Sequence, residues 1–68
     1  MDELRLKELI HKTNTELRPQ LQIKSVNPHN PVVIYHLPQP WEKVGTGNYA
    51  AVFSHPVYPE VVVKIYAP

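Results

Sequence analysis

Sixty-eight residues make at most one small domain, and a chain of this length buries only about 60% of its unfolded surface, so its core is marginal. A hydrophobic share of 43% argues against disorder, and a net charge of +1 without a basic run points away from nucleic acid and from an anionic membrane. The absence of cysteine excludes disulfides and thiolate metal sites, and makes a cytoplasmic setting the expected one.

The opening MDELRLKELI is charged and has no continuous apolar run, so it is not read as a secretory signal, and no later segment is long enough to span a bilayer. Residues 1–19 read as an amphipathic helix over 2–18. Leu6, Leu9, Ile10, Thr13 and Leu17 fall at the spacing of a single face, which is expected to cover a sheet. Asp2 is placed to cap its start, and Glu3 suits the positive end of the helix dipole. Glu3 with Lys7, and Glu8 with Lys12, are pairs of opposite charge four apart in the favourable order. Pro19 disfavours helix at Arg18 and is expected to end the element.

Residues 20–40 change pattern. In LQIKSV, Leu21 and Ile23 alternate with polar residues, and VVIYHL is rich in β-branched and aromatic residues. The two runs are expected to form a hairpin through a loop at Asn27–Pro31. Pro38, Gln39 and Pro40 then make a stiff connector.

Residues 41–68 hold both glycines of the chain, within three positions of each other. WEKVG and YAAVF read as strands on either side of Gly45-Thr46-Gly47-Asn48, SHPVYPE is a proline-marked turn, and VVVKIY is too short for a typical helix and strongly β-branched. The expectation is an antiparallel meander of three strands, with Trp41 packed beside the first. The fold class is therefore α+β: an amphipathic helix and a small antiparallel sheet.

A hairpin needs one tight turn, for which a single Asn-Gly would serve. Two glycines alternating across the turn also let bare backbone approach a ligand and aim its N–H groups at an anion. The alternative is an ordinary glycine-bearing hairpin. Lys64 stands in an otherwise apolar strand, where burial would demand a paired charge or a bound anion. Strand alternation equally allows it to face solvent, with Val61, Val63 and Ile65 on one side and Val62, Lys64 and Tyr66 on the other. His11, His29, His36 and His55 share no spacing typical of a metal site and read as scattered surface or loop residues.

In order along the chain, VGTGNYAAVF followed by VVVKIY resembles the opening of the protein-kinase catalytic domain, whose pattern is G-x-G-x-x-G-x-V and then a valine-rich strand ending in lysine. Val44 precedes the loop, Gly45 and Gly47 match its first two glycines, Val52 the final valine and Lys64 the lysine. Ala50 stands where the third glycine usually lies, and Val62 where alanine is usual.

The resemblance implies the ATP-binding lobe of a serine/threonine protein-kinase-like protein, with Mg-ATP as the cofactor of a complete domain. By position, Gly45, Thr46, Gly47, Asn48 and Tyr49 would form the flap over the phosphates. Val52 and Val62 would pack on adenine, and Lys64 would hold the α- and β-phosphates. The resemblance covers about residues 41–66. The sequence contains no H-R-D or D-F-G, so these residues are expected to transfer no phosphate by themselves, and a C-terminal lobe is the implied partner. The alternative reading is a small, non-enzymatic protein-interaction module that uses the helix or a sheet edge.

Overall fold

The computed structural model describes residues 1–22, 33–34, 36–47 and 50–66. The chain begins with α1 (Glu3–Lys12), capped by Asp2, whose Oδ1 accepts from the Arg5 backbone N–H at 2.8 Å. Regular α-helix stops at Lys12, but helical backbone does not. A wider π-type turn covers Thr13–Leu17, and a tight 3₁₀ turn covers Arg18–Gln20. The expected helix over 2–18 is thus divided, and helical backbone continues two residues beyond it. Thr13 Oγ1 and Thr15 Oγ1 donate to the carbonyls of Leu9 and His11, at 2.7 and 2.9 Å. Such back-bonding competes with the regular ladder, and here the Arg18 N–H reaches the carbonyl of Thr13, five residues back. Pro19 fits the start of the 3₁₀ turn, where its missing N–H leaves no bond unmade.

The strands β1 (Leu21–Gln22) and β2 (Val33–Ile34) pair antiparallel, Leu21 opposite Ile34. This is the expected hairpin at its base; its loop at Asn27–Pro31 lies outside the described residues. After a turn in which the Trp41 N–H donates to the Pro38 carbonyl at 2.9 Å come β3 (Glu42–Thr46), β4 (Ala50–Ser54) and β5 (Val63–Tyr66). They form the expected three-stranded antiparallel meander, with β4 in the middle. Val61 and Val62 precede the last strand rather than belong to it.

The two faces of this sheet differ. Ala51, Phe53 and Ile65 point to one side and are buried with Leu9, Leu17, Trp41 and Tyr58, while Leu21, Leu37, Val61 and Val63 pack around that cluster. The helical segment therefore covers the sheet, but with a narrower stripe than its periodicity suggests. Leu9, Thr13 and Leu17 are buried, whereas Leu6 and Ile10 are about half exposed.

Polar contacts tie the helix to the β4–β5 turn. Arg5 binds the Glu60 carboxylate through Nε and Nη2 at 3.2 and 3.1 Å, donates from Nη2 to the Val57 carbonyl at 2.6 Å, and lies 5.0 Å from the Tyr58 ring centroid. The Glu60 carboxyl is held below its ordinary value by a hydrogen bond from its own backbone N–H and by Arg5. Glu8 does not pair with Lys12 as the spacing suggests. It accepts from the Tyr58 hydroxyl at 3.3 Å, and Lys12 turns instead to Glu16 at 3.5 Å. Burial, followed by the charge of Glu8, raises the Tyr58 phenol above its ordinary value. Glu16 also accepts from the Trp41 indole Nε1 at 3.2 Å, which fixes Trp41 between the helical segment and the sheet. The expected Glu3–Lys7 pair forms, at 3.5 Å on the open surface.

His55 lies in the loop after β4, in line with the reading of surface or loop histidines, but it is not at the surface. It is buried, edge-on to Trp41 at 5.0 Å and tilted against Tyr58 at 5.4 Å, and its Nδ1 accepts from the Val57 N–H at 3.2 Å. A β4–β5 turn that packs back on the sheet carries its histidine inward with it. Burial holds the imidazole below its ordinary value of 6.5; Lys12 adds to the lowering and Glu16 opposes it. The unfolded chain therefore takes up this proton at a higher pH than the folded chain. In the window just below about pH 6.5 the unfolded state binds more protons, so stability falls as pH falls through that window and is fully present above it. The expected result is a melting temperature that drops between about pH 7 and 5.5, with a smaller drop in His55→Asn, whose amide oxygen sits where Nδ1 does and cannot titrate. Equal slopes for the two proteins, followed by circular dichroism, would contradict a buried neutral imidazole.

Candidate functional site

Among the described residues, the helical segment packs on one face of the sheet and no helix lies on the other. Register assigns its residues: Val52 lies directly opposite Lys64 on β5 and opposite Gly45 on β3, and Ala50 lies opposite Tyr66. Residues directly opposite in an antiparallel pair point the same way, so Gly45, Val52 and Lys64 share one side and Ala50 and Tyr66 lie beside them. These five, with Thr46 and Gly47, line an open cleft of about 510 Å³, within the usual range for ligand pockets.

Each part of the cleft has a local cause. Val52, Lys64 and Tyr66 face it because Ala51, Phe53 and Ile65 are drawn to the core on the opposite side of the pleat. The β3–β4 connection is closed by the Gly47 N–H donating to the Ala50 carbonyl at 2.8 Å. Neither glycine is demanded by backbone conformation, since neither has a positive φ. Among the described residues, a Cβ at Gly45 would meet nothing within 4 Å, and one at Gly47 would come only to ordinary contact, 3.8 Å, with the Ala50 carbonyl. The glycines leave the rim of the cleft bare without relieving strain.

Of the residues singled out in sequence, the structure brings together Gly45, Thr46, Gly47, Val52 and Lys64. Val44 and Val62 stand apart from them. The β3 register shifts between Lys43 and Gly45, and Val44, in that irregularity, is 60% exposed and does not line the cleft. Val62 is 57% exposed and borders a second groove, together with Leu6, Leu9 and Ile10. Asn48 and Tyr49 lie outside the described residues. Tyr66 and Ala50 also line the cleft, beyond the residues that the resemblance implies. The signal that could have found Tyr66 is the alternation that placed it on the Lys64 side.

Among the described residues that line the cleft, Lys64 is the only charged one. Among the described residues it forms no ion pair, and its Nζ lies over the Tyr66 ring at 5.0 Å. An unneutralised ammonium, a bare glycine rim and a floor of Val52 and Ala50 suit an anion that carries a flat apolar group. The group implied by the resemblance, ATP, fits this donor set. Among the described residues no carboxylate lines the cleft.

No family model, no curated protein and no solved structure matches this chain. Among the described residues, no helix is long and apolar enough to cross a membrane.

Proposed function

We propose that residues 41–66 are the ATP-binding lobe of a serine/threonine protein-kinase-like protein, a lobe that binds nucleotide and is not catalytic by itself. The observation that carries this reading is the shared face: Lys64 stands directly across from Val52, and Val52 directly across from Gly45, on the side of the sheet away from the core. A phosphate that approaches the bare backbone of the glycine turn and is also held by the ammonium requires that arrangement, although the Gly47 N–H is already donated to the Ala50 carbonyl. Had Lys64 faced the core, the order of motifs in the sequence would have meant nothing for binding.

Binding is weak. The cleft is one-walled, and a nucleotide there buries far less than the 70–90% of its surface that a formed pocket covers. An affinity near 1 mM, about 4 kcal/mol, is what a few phosphate contacts supply. Titration of the chain with Mg-ATP, followed by amide shifts in NMR spectra, is expected to move Gly45–Gly47 and Lys64 most. Shifts confined to other residues would refute the reading. No phosphate transfer to protein is expected, because the rate of that chemistry comes from metal ligands and a residue that positions the nucleophile, and the sequence holds no motif for either.

A second reading has its own observation. Leu6, Ile10 and Val62 border an apolar groove of about 280 Å³ on the helix side of the molecule, which suits a small protein-interaction module in which the glycine turn is only structural. The same titration separates the two, since that module leaves Lys64 unmoved.

A further inference from the structure

We infer that Tyr66 is a positioning residue for the anion site, holding the Lys64 ammonium at the cleft by a cation–π contact; this rests on the nucleotide reading of the same cleft. Tyr66 is 64% exposed, yet its ring is not turned away from the sheet: it lines the cleft and lies 5.0 Å from Lys64 Nζ. The two residues are separated by one position on β5, so the pleat sets both on one side. Across from Tyr66 stands Ala50, whose small side chain leaves the ring uncovered.

A lysine on an open sheet face has four rotatable bonds and no carboxylate among the described residues to hold it. Without a partner its ammonium would sample solvent, and binding would have to order it. The ring takes that role and leaves ammonium hydrogens free for a phosphate, because a cation over a π-face offers only one side to the ring. Exposed cation–π contacts are worth about 0.5–1 kcal/mol, which corresponds to a change of roughly two- to fivefold in affinity.

Inorganic triphosphate serves as the probe, since it reports the ammonium and the turn without any contribution from a base. Its affinity, read from amide shifts, is expected to fall roughly two- to fivefold in Tyr66→Leu and to stay within about twofold of the parent in Tyr66→Phe, whose ring keeps the contact. A second readout does not depend on binding. The Lys64 Hε protons should resonate upfield in the parent and in Tyr66→Phe, and lose that displacement in Tyr66→Leu, while the Ala51 and Phe53 amides stay in place. Binding that needs Lys64 but is as tight in Tyr66→Leu as in the parent overturns the positioning role alone. Binding that ignores Lys64→Met overturns the nucleotide reading and this inference with it.

Discussion

Phe53→Ala is expected to leave the chain unfolded at 25 °C. Phe53 is fully buried on β4, the middle strand of the sheet, and its ring shares one cluster with Leu9, Leu17, Trp41, Ala51, Tyr58 and Ile65. Truncating a buried phenylalanine to alanine costs about 3–5 kcal/mol, in lost transfer energy and in the cavity left behind. A single core in a chain of this size rarely supplies more than about 3–5 kcal/mol in total. The two quantities are of the same size, so the folded population falls to a minor one. Collapse of amide dispersion and loss of a cooperative thermal transition are the signatures to measure. Val57→Ala is the control: Val57 is an exposed turn residue, and its truncation is expected to change stability by no more than about 0.5 kcal/mol. A Phe53→Ala protein that still melts cooperatively near the parent temperature would mean that the sheet does not depend on this cluster.

What the sequence made legible follows from which forces are local. The Asp2 cap could be read because its partner, Arg5, lies three residues away. The meander could be read because its breaks, a glycine pair and a proline turn, sit between β-branched runs. The placing of Lys64 with Val52 needed only strand alternation and one correct pairing. Contacts that span the chain were not legible. Glu8 has a nearby lysine in sequence and bonds Tyr58 fifty residues on. Arg5 reaches Glu60, and His55 is buried because Trp41 and Tyr58 arrive from both sides. Val62 was grouped with Lys64 by extending the alternation back before the strand begins, and pairing stops at Val63. The shift between Lys43 and Gly45 leaves no mark in composition, and Val44, the neighbour of Gly45 on the strand, does not line the cleft. Leu6 and Ile10 satisfy the helical period but exceed the width of sheet available to cover them. Periodicity marks an apolar face; how much of it finds a partner is a tertiary property.

Gly45→Val is expected to separate folding from binding. Among the described residues nothing lies within 4 Å of the Cβ that Gly45 lacks, and its φ is not positive, so a side chain there meets neither a clash with them nor backbone strain. Glycine within a strand is destabilising by roughly 0.5–1 kcal/mol relative to alanine, and a β-branched residue suits the pleat better still. The variant should therefore melt at or above the parent temperature, by several degrees if about 1 kcal/mol is gained in a domain of this size. Binding should respond in the opposite sense. Gly45 lies opposite Val52 on the open face and lines the cleft with Lys64, so the new side chain stands where a phosphate would approach bare backbone. Loss of the backbone contact and of access to the ammonium is expected to weaken Mg-ATP or triphosphate by tenfold or more, about 1.4 kcal/mol. Thermal melts and amide-shift titrations on the same sample decide it. Both glycines of the chain lie at this rim, and among the described residues neither backbone conformation nor space requires them there. If Gly45→Val binds as the parent does, the bare rim serves the hairpin alone, and the nucleotide reading loses the feature that distinguishes this turn from any other.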